Sequence, residues 1–150
     1  MEIAFDIRRS LMELDPEGWT QEALPDDLPQ AMFRVGQKPV RKLNAAELYH
    51  LLRFHLSLAQ VAPLALERLE TDPLLTAERH PGDLLTALME SDSRFWHEQE
   101  ELWGEVLGIA ASALESIQAR MEKEELGDYL PSCVGDDFMG ALLHFRGLHP

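Results

Sequence analysis

The most regular pattern along this chain is a helical repeat of apolar side chains over residues 99–122. Its members are Leu102, Val106, Ile109, Ala110, Ala113, Ile117 and Met121. They recur with a period near 3.6 residues, and glutamates with Gln118 occupy the opposite side. The pattern predicts one long amphipathic helix.

Two further helices are predicted between residues 44 and 71. Asn44 followed by Glu47 is typical of a capping box at a helix start. An apolar stripe follows at i, i+3, i+4 and i+7: Leu48, Leu51, Leu52 and His55. A second apolar segment runs over 58–71, where Pro63 is tolerated only near a first turn. We therefore expect a break near Ser57–Gln60 and a hairpin of two helices.

The remaining segments predict shorter elements. Pro81 and Gly82 mark a turn before a third helix, with Asp83 placed to cap it or to favour its positive end. Residues 91–96 interrupt the pattern, and a last short helix is expected over 136–145, with Phe138, Leu142 and Phe145 inward. Near the N-terminus, a short helix around 6–14 precedes a turn at 15–18 and a loop over 21–29. A small apolar cluster follows at 31–35, in either a short helix or an extended piece.

These elements together predict an all-α fold, a compact single-domain bundle of about five to seven helices. No segment rich in valine, isoleucine and threonine alternates over the length of a strand. Within the one domain, residues 1–43 form an irregular N-terminal part. Residues 44–122 form the helical core, and residues 123–150 form a C-terminal tail with a short helix.

The net charge of the chain limits the classes of partner that it is expected to bind. The 150 residues carry 27 acidic and 13 basic side chains, a formal net charge of −14. Phosphate backbones and anionic membrane surfaces require basic surfaces, so neither nucleic acid nor a membrane is expected as partner. A basic protein partner is compatible with this charge, although acidity also simply keeps a protein soluble.

No secretory signal and no long apolar run is recognised, and Cys133 is a lone cysteine, so the cytoplasm is expected.

No arrangement of residues predicts catalysis. The six histidines lack the HExxH spacing of a zinc enzyme, and no glycine-rich phosphate loop or GxSxG turn occurs. Neighbouring acidic residues on a helix point about 100° apart, so such pairs do not converge on one ligand. We therefore expect no enzyme, no cofactor and no metal. A small metal-dependent enzyme stays the less favoured alternative.

Three tryptophans are candidates either for the core or for a partner interface. Tryptophan is highly buried on average, but it is also enriched among the residues that dominate binding energies. Trp103 falls just off the apolar stripe of its helix, which favours it over Trp19 and Trp96 as an interface anchor.

Several short motifs, taken in order, resemble the immunity proteins of contact-dependent growth inhibition (CDI) systems. They are SLMELDPEGW from Ser10, Pro-Leu-Ala-Leu-Glu-Arg-Leu at 63–69, Asp-Pro-Leu at 72–74, Pro-Gly-Asp-Leu-Leu at 81–85 and Phe-Trp at 95–96. The resemblance covers roughly residues 10–105. Physically these motifs are caps, turns and core positions, so they identify a scaffold and not a binding site.

The resemblance implies a cytosolic protein that binds and neutralises the C-terminal toxin domain, often a nuclease, of a large surface protein. A basic toxin domain would fit the acidity of this chain. The candidate contact residues are Trp19, Asp26, Asp27, Glu98, Glu100, Glu101, Trp103, Asp136 and Asp137. A small helical adaptor for another intracellular partner is the alternative. The toxin, its reaction, the blocked surface and the oligomeric state stay open.

Overall fold

Eight α-helices make up most of the chain that this computed structural model describes, which is residues 3–124 and 136–149. They are α1 (Leu11–Leu14), α2 (Gln30–Gln37), α3 (Ala45–Arg53), α4 (Leu58–Thr71), α5 (Asp83–Met89), α6 (Ser93–His97), α7 (Glu100–Glu122) and α8 (Asp136–Arg146). Two 3-10 turns, Pro16–Trp19 and Val40–Lys42, lie in the N-terminal part. The structure does not describe residues 125–135, which include Gly127, Pro131 and the lone Cys133.

The all-α prediction is confirmed, but the expected count of five to seven helices is too low. The additional helix is α6, which occupies the segment expected to interrupt the pattern. Five residues are too few for a 3.6-residue period to be visible, and a local cap defines this helix instead. Asp92 Oδ1 accepts a hydrogen bond from the Arg94 N–H at 3.0 Å. Within the described ranges the only extended pairing is an isolated antiparallel bridge between Ser10 and Pro39.

The predicted hairpin of α3 and α4 is confirmed. Asn44 Oδ1 accepts from the Glu47 N–H at 2.8 Å, and Glu47 Oε1 accepts from the Asn44 N–H at 3.0 Å, which is the expected capping box. The link between the helices is residues 54–57, slightly before the expected break. Its tight turn places His55 and Ser57 in the left-handed region, at φ 56° and 49°. The expectation that Pro63 lies near a first turn is wrong, because Pro63 lies further inside α4, where it removes one backbone N–H donor from the helix.

Helix α5 is the centre of the core. All seven of its residues are buried, and it packs against α3, α4 and α8. The Asp83 side chain does not cap α5, contrary to one of the two roles expected for it. Its buried carboxylate instead accepts from the backbone N–H groups of Ala77, Glu78 and Arg79 at 2.7–2.9 Å. Asp83 therefore fastens the preceding loop to the start of α5.

The long helix α7 buries most of the predicted stripe and extends beyond the core. Leu102, Val106, Ala110, Ala113 and Ile117 are buried. Met121, the last member of the predicted stripe, is 46% exposed. In α8 the three predicted side chains, Phe138, Leu142 and Phe145, are all buried. None of the described helices combines the length and the apolar character needed to cross a bilayer.

Candidate partner-binding surface

The first candidate surface is an open cleft between α4, α6 and the start of α7, which we call the Phe95 cleft. It is formed by two adjoining depressions of about 450 and 340 Å³ that share Ala59 and Phe95. The lining of the larger depression includes Phe5, Ala59, Pro63, Phe95, Glu101, Leu102 and Glu105, and that of the smaller one includes Asp15, His55 and Gln60. The cleft thus has an apolar floor and two carboxylates on the α7 side.

Helix α6 holds Phe95 in place through its neighbour Trp96. The Trp96 ring is fully buried, and its Nε1 donates to Ser91 Oγ at 3.0 Å. The ring also contacts Phe95 and Phe145 edge to face, at centroid distances of 5.0 and 4.9 Å. Phe95 itself is only half buried. One side of its ring is therefore fixed by the core while the rest borders the cleft.

The start of α7 is acidic and lacks neutralising partners. Glu98, Glu100, Glu101 and Glu105 are exposed, and within the described residues none of them forms an ion pair. No lysine or arginine occurs between residues 98 and 119. Side chains at i and i+4 on a helix are neighbours, so Glu101 and Glu105 place two negative charges side by side. This part of the surface is therefore uncompensated negative charge.

Carboxylates elsewhere on the described surface more often have a cation beside them. Lys38 Nζ lies 2.7 Å from Glu47, and Arg53 lies 3.1 Å from Glu90. Asp92 accepts hydrogen bonds from the Arg94 side chain, which lower the pKa of the Asp92 carboxyl. Charge pairing is thus concentrated before α7.

Two acceptor groups near the cleft have incomplete hydrogen bonding. Gln60 Oε1 is buried and has no hydrogen-bond partner among the described residues. Pro63 has no N–H, so the Ala59 carbonyl four residues earlier lacks its usual helical donor. Unpaired buried acceptors are uncommon because burial without a donor costs free energy. Gln60, which lines the smaller depression, is therefore an exception to this rule within the described residues.

A second candidate surface, which we call the Trp19 cleft, measures about 520 Å³. It is lined by Trp19, Gln21, Leu24, Pro25, Asp26, Leu28 and Phe33. Trp19 Nε1 donates to Ser57 Oγ at 2.8 Å, and Ser57 Oγ in turn donates to Asp15 Oδ2 at 2.8 Å. The polar end of Trp19 is thus already bonded within the chain. Asp26 and Asp27 are exposed beside it, and Phe33 is 38% exposed.

Trp103 lies away from both clefts. Its Nε1 donates to the Phe145 carbonyl at 2.7 Å, and its ring lies 4.9 Å from the ring of His149. Side chains two positions apart on a helix point about 200° away from each other. Trp103 and Glu101 therefore lie on opposite flanks of α7. In the structure, Trp103 joins α7 to the end of α8.

The candidate residues whose side chains the structure describes fall into separate groups. Glu101 lines the Phe95 cleft, and Glu98 and Glu100 are exposed just before it. Trp19 and Asp26 share the second cleft, and Asp27 adjoins it. Asp136 and Asp137 begin α8, but their side chains lie outside the described part of the structure.

Sequence reasoning missed Phe95, Glu105 and Gln60 as members of a surface. A signal for Glu105 was present, because the absence of cations over 98–119 is visible in the sequence. The exposure of Phe95 and the unpaired oxygen of Gln60 depend on tertiary packing and had no such signal. Among the described residues, no group of three or more histidine, cysteine, aspartate or glutamate side chains is arranged to hold a metal ion.

Comparison with protein-family models matches residues 13–106 to a family described as CDI immunity proteins. The matched range is more than half of the chain and contains both clefts except for Ala4 and Phe5. Searches of curated proteins and of solved structures returned no match. The helical scaffold and the family match lead to one conclusion: this chain belongs to the family of CDI immunity proteins.

Proposed function

We propose that this protein protects its cell by binding the C-terminal toxin domain of its cognate CDI system, and that it does so without catalysing a reaction. The family match over residues 13–106 is the observation that carries the proposal. The net charge of −14 supports a basic partner, such as a nuclease domain whose active face must attract nucleic acid. The complex would form in the cytoplasm, where a delivered toxin would act.

An inhibitor of a lethal enzyme must leave almost no free toxin. This requires a Kd near or below the nanomolar range, about −12 kcal/mol. An interface of about 1,600 Å² can provide that affinity when a few apolar anchors are well packed. Exposed carboxylates would mainly speed the encounter and set the orientation of the partners.

Co-expression with the toxin domain encoded beside this protein tests the proposal. We expect the protein to restore growth of cells that produce the toxin, and the two chains to elute as one complex in size-exclusion chromatography. A toxin from an unrelated CDI system is the control and should neither be neutralised nor co-elute. Growth rescue without a complex, or turnover of a toxin product by the purified protein, would contradict the proposal.

The start of α8 is a separate candidate contact. Charge reversal of Asp136 and Asp137 to lysine is expected to raise the Kd for the toxin at least about tenfold if this helix start touches it. Isothermal titration calorimetry measures the change. An unchanged Kd would remove the α8 start from the interface.

A further inference from the structure

We infer that the Phe95 cleft is where this protein docks a lysine- or arginine-bearing segment of the toxin domain. The inference rests on the proposed function and adds the place and the chemistry of the contact. Three features of the described residues carry it: an apolar floor, two neighbouring carboxylates on the α7 side, and a lining without lysine or arginine.

The floor fits the long aliphatic part of a basic side chain. Phe95, Pro63 and Leu102 border the cleft, and Phe95 is supported from behind by the buried Trp96. Lysine and arginine bury their methylene groups on such surfaces while the charged end reaches polar groups. An arginine can also stack its guanidinium plane on the face of an aromatic ring.

The acceptors fit the charged end. Glu101 and Glu105 lie one helical turn apart on the α7 side of the cleft, where their mutual repulsion is uncompensated within the described residues. A cation between them would remove that repulsion. Carboxylates only accept when ionised, so Glu101 and Glu105 favour a partner rich in N–H groups over an acidic one.

The other clefts of the described surface suit a basic segment less well. The depression beside Phe5 and Val40 is lined by Arg41 and Arg68, and the polar depression beside α5 is lined by Arg53 and Arg79. Their carboxylates are thus accompanied by arginines, so these depressions attract a basic segment less than the Phe95 cleft does. The Trp19 cleft contains no cation, but it offers a single carboxylate, Asp26, and its indole N–H is already bonded to Ser57.

The test compares two double charge reversals on the same helix. Glu101→Lys with Glu105→Lys alters the cleft, whereas Glu115→Lys with Glu122→Lys alters two exposed glutamates further along α7. Both changes shift the net charge equally, so long-range attraction falls similarly in both. Binding to the purified, catalytically inactive toxin domain is measured by surface plasmon resonance. Thermal unfolding of each variant verifies that it is folded.

We expect the cleft variant to raise the Kd at least about tenfold above that of the control variant, mainly through faster dissociation. Asp26→Lys is the third arm and reports on the Trp19 cleft. If the wild-type protein binds the toxin but the folded cleft variant has the same Kd as the control variant, the Phe95 cleft is not the docking site. A selective loss of affinity in Asp26→Lys would then place the docking site at the Trp19 cleft. If the wild-type protein does not bind at all, the proposed function fails and the inference falls with it.

Discussion

Gly36 illustrates how one residue depends on a partner far away in the sequence. A methyl group at position 36 would lie 2.7 Å from Cη2 and Cζ3 of Trp19, well inside van der Waals contact. The ring of Trp19 cannot easily move aside, because its Nε1 is bonded to Ser57. At Gly108, on the open side of α7, the same methyl group would meet nothing within 4 Å.

Substituting alanine at these two glycines should therefore have opposite effects. Gly36→Ala is expected to lower the free energy of unfolding by about 1–3 kcal/mol through overpacking against Trp19. Gly108→Ala, the matched control, should raise it by about 0.5–1 kcal/mol because alanine favours a helix interior. Urea denaturation measures both. Equal changes of the same sign would contradict the close contact between Gly36 and Trp19.

Asp83 is a buried carboxylate for which the described part of the structure shows no ion pair. Its carboxylate is held by three backbone N–H groups, at Ala77, Glu78 and Arg79. Hydrogen bonds to a charged acceptor are stronger than neutral ones, and leaving buried donors unpaired is costly.

Asp83→Asn should destabilise the protein by about 2 kcal/mol, because an amide NH₂ cannot accept and would face N–H donors. Chemical denaturation gives the magnitude, and hydrogen exchange should accelerate at the amides of residues 77–79. Asp27→Asn, at an exposed position, is the control and should change the stability by less than about 0.5 kcal/mol. Unchanged exchange at residues 77–79 in the Asp83 variant would disprove this role for Asp83.

At the scale of elements, α3 begins with a cap that is also an ion pair. Partial burial of Glu47 acts to raise its pKa, but hydrogen bonds from Lys38 Nζ and the Asn44 N–H outweigh burial, so the pKa lies below its ordinary value. A carboxyl whose pKa is lowered by folding stabilises the protein above its unfolded pKa. That contribution is lost as the pH falls through the folded pKa.

Glu47→Gln removes this charge but keeps a side chain that can accept from the Asn44 N–H. At pH 7 the variant should be less stable by about 0.5–1 kcal/mol. The difference should shrink as the pH falls below the ordinary pKa of glutamate, and it should vanish once Glu47 is neutral in the folded protein as well. Denaturation midpoints over this pH range, with the exposed Glu22→Gln as control, measure the effect. A difference that stays constant with pH would show that the charge contributes nothing.

The helices also differ in how far their sequences predict them. The bounds of α4 match the prediction, and α7 and α8 differ from it by one residue at an end. Helix α6 was missed because its five residues are defined by the Asp92 cap and by the burial of Trp96, which no periodicity reveals. Long apolar stripes identify helices well, and short capped turns need their tertiary setting.

At the scale of the whole molecule, the net charge of −14 should control how fast a basic partner arrives. The association rate with the toxin domain is expected to fall at least about tenfold between low salt and about 0.5 M salt, with little change in the dissociation rate. Stopped-flow fluorescence at a series of salt concentrations measures both rates. An association rate that does not change with salt concentration would show that electrostatic attraction does not speed binding.

The sequence by itself determined the helical class, the cap of α3, the inward faces of α7 and α8, and the family resemblance. All of these depend on residues within a few positions of one another, where helical geometry leaves little choice. The net negative charge of the protein likewise follows from its amino-acid composition alone.

Only the tertiary structure decided which side chains share a surface. Trp103 bonds to Phe145, 42 residues later, and Trp19 to Ser57, 38 residues later. Phe95 meets Ala59 and Glu101 in one cleft because α4, α6 and α7 converge there. Such neighbours arise from the way whole helices pack, and the burial or exposure of a single side chain follows from that packing rather than from local spacing.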